Sequence, residues 1–282
     1  MEQTLMGTLS IRQRRRSAVD KRLALDGLDV HEYLRDSTRK QSYVNTVFET
    51  VASSYDRFTR LSSLGLDMAW KRELLGLVKA RLRPDHQVLD LATGTGDLAF
   101  ALATTVKSGK VIGLDIAENM IHLAEQARQQ RKVPNVEFRV GDMMDLRLPP
   151  ASVDAVTVSY GLRNCPDLRR ALHEIYGVLK PGGLFASLDF VRPQNALWER
   201  IFLKALLTSC NFFGWLWHRE PAVYAYLPHS IAHFVSIREL SRALADAGFE
   251  VHVQRPRLIG MIAIHLARKK YVVRPLARPS SS

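Results

Sequence analysis

The stretch Leu89–Asp97 reads Leu-Asp-Leu-Ala-Thr-Gly-Thr-Gly-Asp. Gly94 and Gly96 would let the backbone approach a ligand closely, and Asp90 and Asp97 flank the turn. About 20 residues past Gly96 stands Asp115, at the distance expected of an acid that takes two ribose hydroxyls. A further apolar segment ends in Gly141-Asp142-Met143. An acid there can accept from an adenine amino group, and a thioether can lie against the ring. Another segment ends in Ser159, and Gly161, Arg163 and Asn164 follow it. An arginine at the mouth of a core strand can stabilise negative charge developing on a substrate. The acids also suit a cationic ligand. Phosphate would call for a Gly-x-x-x-x-Gly-Lys loop, which does not occur.

These residues need elements that bring them to one edge. Val88–Leu91, Val111–Asp115, Val136–Val140, Val153–Val158 and Leu184–Phe190 read as apolar strands. Leu98–Val106, Ala117–Arg131 and a helix from Leu168 to Leu179, stopped by Pro181-Gly182-Gly183, lie between them. Ser236 and Glu239 form a capping box ahead of Leu240, Ala243, Leu244 and Ala247, and Gly248 ends that helix. Phe249–Val253 and Met261–His265 close the sheet. Strands alternating with helices give an α/β fold, a doubly wound and mostly parallel sheet, with ligands held at the strands' carboxyl ends. Taken singly, each residue has a plainer reading as turn glycine, helix cap or core methionine. Together, at four successive strand ends, they describe an S-adenosyl-L-methionine site.

The chain has 282 residues, 46% of them hydrophobic, enough for a sizeable core. Its two cysteines, Cys165 and Cys210, give no disulfide framework. Neither they nor the nine histidines show metal-ligand spacing, so no metal is expected. The net charge of +12 gathers in part at residues 12–16 and from Arg255 to Arg278. Such a balance suits nucleic acid, anionic lipid or a polyanion. No apolar run reaches the ~20 residues of a membrane span, and no secretory signal is expected at the N-terminus.

Four motifs in order carry a closer resemblance: "VFETVASSYDRFTRLSSLGLDMAWKR" (47–72), "VLDLATGTGDLAF" (88–100), "VSYGLRNCPDLRRALHEIYGVLKPGG" (158–183) and "YAYLPHSI" (224–231). The chain resembles the ubiquinone/menaquinone biosynthesis C-methyltransferase family, the UbiE type, over roughly residues 44–270. The resemblance implies a Rossmann-like class I methyltransferase fold. It also implies methyl transfer to a ring carbon of a polyprenylated quinol, a demethylmenaquinol or related benzoquinol. It carries cofactor contacts to Thr95, Asp115, Asp142, Met143 and Ser159. Beside them stand Asp90, Gly94, Gly96 and Ile116. It puts the "GLRN" segment on the acceptor side, so Arg163 is expected to be catalytic with Asn164. Tyr55, Asp97 or a histidine are candidates for orienting a proton-accepting water; His218, His229, His233 and His265 fall in the acceptor region, each with a plainer structural reading. A methyltransferase acting on another phenolic or lipid-like metabolite, and a silent scaffold, are the alternatives. The chain departs from the family's pattern at His218-Arg219-Glu220-Pro221 and at Ile259-Gly260-Met261, both near the acceptor.

The expected organisation is a polar N-terminal extension (1–40), the methyltransferase domain (41–270) and a basic tail (271–282). Expected partners are a prenylated quinol or other phenolic acceptor and a second copy of the chain. Nucleic acid is not expected. Peripheral contact of a cytoplasmic protein with an anionic membrane rests on the Trp/Phe-rich segment 197–217 and the basic C-terminus. The same aromatic segment also reads as an ordinary core helix.

Overall fold

A computed structural model describes residues 65–218 and 222–271; the side chains of 213–215, 217, 218 and 222–225 are not among the described ones. Tyr55, residues 1–40, Arg219-Glu220-Pro221 and the tail beyond Tyr271 lie outside this range.

Seven strands form one sheet in the order β3-β2-β1-β4-β5-β7-β6. They are β1 (Gln87–Leu91), β2 (Lys110–Asp115), β3 (Val136–Val140), β4 (Val153–Ser159), β5 (Leu179–Phe190), β6 (Phe249–Arg257) and β7 (Ile262–Lys269). All neighbours pair in parallel except β7, which is antiparallel to both β5 and β6. The helices are α1 (Leu66–Lys79), α2 (Asp97–Ala103), α3 (Glu118–Arg131), α4 (Leu168–Val178), α5 (Ala196–His218), α6 (Ala222–Ala232) and α7 (Ile237–Asp246).

Central strands buried on both faces need apolar residues at nearly every position. Val88, Leu89 and Leu91 of β1 and Ala155, Val156 and Val158 of β4 are fully buried. One face is covered by α4 and α7, through Leu172, Ile175, Leu240 and Leu244. The other is covered by α1 and α2, through Trp70, Leu74, Leu98 and Leu102. The capping box is present: Ser236 N–H donates to Glu239 at 2.7 Å, and Glu239 N–H to Ser236 Oγ at 3.4 Å.

Of the boundaries that differ from the sequence reading, two have a plain physical cause. Helix α4 stops at Val178, ahead of Pro181-Gly182-Gly183, and β5 starts at Leu179. Proline disfavours the helical conformation of the residue before it. The Pro-Gly-Gly run is therefore a bulge inside the strand, between the pairs Val153/Leu179 and Ala155/Leu184. Strand β6 continues through Pro256 to Arg257. It is an edge strand bonded only to β7, so a residue without an N–H is tolerated there.

Candidate active site

An open cleft lies where β1, β2, β3 and β4 end. It holds about 1000 Å³ of empty space, solvent at its mouth included. The β1–α2 turn forms its floor. Gly94 has φ +56° and a Cβ added there would meet nothing within 4 Å, so its Cα faces open space. Gly96 has φ +90°, and a Cβ there would stand 2.6 Å from the Phe138 ring. Gly94 thus opens the floor, while Gly96 packs the turn onto β3 without lining the cleft.

Asp115 ties the turn to β2. Its carboxylate accepts from Gly94 N–H at 2.8 Å and from Ala117 N–H at 3.0 Å. A carboxylate has about four acceptor sites, so two backbone donors leave room for ribose hydroxyls. Burial pushes its carboxyl above the usual range, against the pull of the Ala117, Gly94 and Ile116 backbone N–H groups. Gly141 N–H donates to Asp115 C=O at 2.9 Å, which carries Asp142 and Met143 to the same wall. Ser159 also lines the cleft, and its Oγ, just beneath the surface, has no hydrogen-bond partner among the described residues. An open floor, hydroxyl acceptors and an unsatisfied hydroxyl suit an adenosine ligand. Asp90, Gly94, Thr95, Asp115, Ile116, Asp142, Met143 and Ser159 all line the cleft.

Asp90 is buried beneath the turn and accepts from Thr157 Oγ1 at 2.6 Å and Thr93 Oγ1 at 2.7 Å. Burial raises its carboxyl to about 6, even though the two hydroxyls and Lys71 pull it down. The free protein therefore keeps Asp90 protonated below about pH 6, and a cationic ligand favours the ionised form. Affinity for S-adenosylmethionine is expected to be level above about pH 7 and to weaken by up to about tenfold per unit below 6, with proton release on binding. Calorimetry in buffers of differing ionisation enthalpy measures both. Constant affinity from about pH 5 to 8 would mean that Asp90 does not sense the ligand.

The acceptor-side candidates separate. Asn164 and Asp97 line the cleft; Tyr55 lies outside the described residues. Arg163 does not line it, although the sequence placed it there as a catalytic group. Its side chain is 2% exposed, its Nη1 donates to Asp189 Oδ1 at 2.7 Å and to Tyr160 C=O at 2.7 Å, and its backbone N–H donates to Asp189 Oδ2 at 3.2 Å. Its guanidinium carbon stands 5.5 Å from the Phe190 ring centroid and 5.9 Å from that of Tyr160. The cause is the backbone. Tyr160 has φ +59°, which costs a side-chain-bearing residue about 1–2 kcal/mol, and turns the chain into the 3-10 turn Leu162–Asn164. Tyr160 C=O accepts from both Arg163 and Asn164 Nδ2, and Tyr160 N–H donates to Leu188 C=O. The strained residue is held from three sides.

Sequence reasoning missed Lys71, Thr93, Tyr160 and Cys165 as lining residues. All four lie inside the motifs that carry the resemblance, Lys71 in the one that ends "DMAWKR", Thr93 in "VLDLATGTGDLAF", and Tyr160 and Cys165 in the one that begins "VSYGLRNC". Nor did the sequence show that Tyr226, in α6, donates to Asn164 Oδ1 at 3.1 Å. His265, one of the histidines near the acceptor region in sequence, lies within the sheet; burial holds it neutral, at about 4, with Nε2 2.9 Å from Ser241 Oγ.

The model of the ubiE/COQ5 methyltransferase family matches residues 36–269. A demethylmenaquinone methyltransferase of Lactiplantibacillus plantarum is 37% identical over 234 residues, spanning 80% of this chain and 96% of that protein. A protein of the same name from Listeria welshimeri is 33% identical, spanning 82% of this chain and 98% of its own. Among solved structures, the S-adenosylmethionine-dependent methyltransferase of Aquifex aeolicus is similar in fold, with a TM-score of 0.54 at 20% identity over 76% of this chain and 97% of that one.

Proposed function

The chain belongs to the ubiE/COQ5 methyltransferase family, and from that premise we propose that it methylates a ring carbon of a demethylated menaquinol, with S-adenosylmethionine as donor. The observation that carries the reading is the carboxylate-lined cleft closed on its β4 side by Tyr160, Asn164 and Cys165. When bound, S-adenosylmethionine supplies an electrophilic methyl group on a sulfonium. The chain's own work is to hold that group and to make the acceptor carbon nucleophilic. Loss of a phenolic proton pushes charge onto the adjacent ring carbon. Asn164 suits the phenolate oxygen: one amide N–H is held by Tyr160 C=O, its carbonyl is turned by Tyr226, and its second N–H meets no acceptor among the described residues and is left to donate. Arg163 acts at one remove, by holding Tyr160 and the turn that carries Asn164. Asp97, tied to Lys71 at 3.2 Å, belongs on the cofactor side rather than in proton removal.

The decisive experiment incubates the purified protein with labelled S-adenosylmethionine and demethylated naphthoquinols and benzoquinols, with and without prenyl tails, and identifies products by mass spectrometry. Ring methylation of the naphthoquinol is expected. Methylation of other phenols alone would sink the proposed acceptor.

A prenylated acceptor calls for a surface that meets lipid. Among the described residues no helix is long and apolar enough to cross a membrane. Leu197, Ile201, Phe212 and Leu216 of α5 are exposed, beside exposed Arg200 and Lys204. Ile259, 75% exposed, sits in the β6–β7 turn. Because Ile262 pairs with Phe190 at the end of β5, that turn lies at the same sheet edge as the cleft. We therefore expect the protein to sediment with anionic liposomes at low salt and largely to release at high salt, since each basic residue near such a surface contributes only ~1 kcal/mol and is screened. Sedimentation indifferent to lipid charge would refute the electrostatic part.

A further inference from the structure

The described walls of the cleft carry four carboxylates, Asp90, Asp97, Asp115 and Asp142, and one cation, Lys71. S-adenosylmethionine has two positive groups, its sulfonium and α-ammonium, and one negative group, its α-carboxylate. The charges of wall and ligand are complementary, and among the described lining residues Lys71 is the one cation that can answer the carboxylate.

Its position fits that task. Lys71 comes from α1, ahead of β1, and its Nζ lies 3.2 Å from Asp97 Oδ2. Its charge is also felt at Asp90. It therefore stands at the β1 side of the cleft, whereas Asp115 and Asp142 stand at the β2 and β3 ends. If those two take the nucleoside, the amino-acid end is left to the β1 side. Lys71 is confined, with its side chain 16% exposed, while Asp97 at 35% keeps an open flank. An anchor for α1 is not needed: Trp70 and Leu74 already belong to one apolar cluster with Leu98 and Leu102 of α2. A partly exposed lysine–aspartate pair adds little stability beside that.

We propose that Lys71 binds the α-carboxylate of S-adenosylmethionine and that Asp97 takes its α-ammonium, so that the Lys71–Asp97 pair is a mould for the ligand's zwitterionic end. The inference rests on the cofactor assignment and adds a consequence to it: the site selects against adenosyl thioethers that lack the carboxylate.

The test compares three ligands by calorimetry: S-adenosylhomocysteine, its decarboxylated analogue, and 5′-methylthioadenosine, which lacks the whole amino-acid end. Lys71→Met is expected to weaken S-adenosylhomocysteine at least tenfold and to leave the other two within about twofold. Lys71→Gln, which keeps a polar and similarly long side chain, is the second variant should the first not fold, and the same pattern is expected of it. Lys71→Arg should recover much of the affinity, since a guanidinium also pairs with a carboxylate. An equal loss for all three ligands would make Lys71 a structural residue and overturn the proposal, as would unchanged affinity for S-adenosylhomocysteine. A wild-type protein that bound none of the three would overturn the cofactor assignment itself, a result distinct from either.

Discussion

Asp115→Ala is expected to weaken S-adenosylhomocysteine and S-adenosylmethionine by about 2–4 kcal/mol, roughly 30- to 900-fold in Kd. Two losses combine. The ribose hydroxyls lose charge-assisted acceptors, which are stronger than neutral ones. The turn also loses its tie, because the same carboxylate holds the Gly94 and Ala117 N–H groups. Removing it leaves two backbone donors without their partner at the place where the ligand must lie. Asp115→Asn separates the two contributions. Its single carbonyl oxygen can serve one donor, while its amide N–H₂ meets the other head-on, so it should repair little of the turn. Thermal unfolding should shift only modestly, because the energetic deficit lies in the cleft rather than in the two apolar layers. Titration calorimetry decides; an unchanged dissociation constant would remove Asp115 from the ligand site.

The strand ends were legible because the central strands are apolar at nearly every position and stop at polar punctuation, such as Leu91 before Ala-Thr-Gly and Val158 before Ser159. In a parallel sheet, that alone gathers Asp90, Asp115 and Ser159 at one edge. The side to which a residue points after the strand ends was not legible. Tyr160 adopts a left-handed backbone that no local pattern announces, and it sends Arg163 to the buried Asp189. Lys71 and Asp97 are 26 residues apart, on helices flanking β1. Their meeting depends on the packing of α1 against α2, a tertiary contact made through Trp70 and Leu74 that no local pattern announces. The Pro-Gly-Gly run after α4 was misread for a related reason. It is strong punctuation, but the pairing of Leu179 with Val153 turns a helix stop into a bulge within β5.

The Arg163–Asp189 pair gives the second large effect. Both side chains are almost wholly buried. Burial pushes the Asp189 carboxyl upward, and the guanidinium beside it pulls back. A buried pair of this kind contributes little net stability over apolar residues of similar size, but removing one partner strands the other charge at a cost of about 3–5 kcal/mol. Arg163→Met and Asp189→Leu, singly, should each lower the melting temperature by roughly 6–20 °C. Arg163→Met with Asp189→Leu should recover most of that loss, because no charge is left unpaired. If Arg163 works by positioning, turnover should follow stability: well over tenfold down in each single variant and substantially restored in the pair, apart from the loosening of Tyr160 C=O. Michaelis constants for the cofactor should move little, since Asp115 and Asp142 are untouched. A double variant with a melting temperature near wild type and turnover still reduced a hundredfold would show instead that the guanidinium acts on the reacting atoms. Such an outcome would require the Tyr160 turn to open during catalysis, because in the closed arrangement Arg163 is walled off by Tyr160, Phe190 and Asp189.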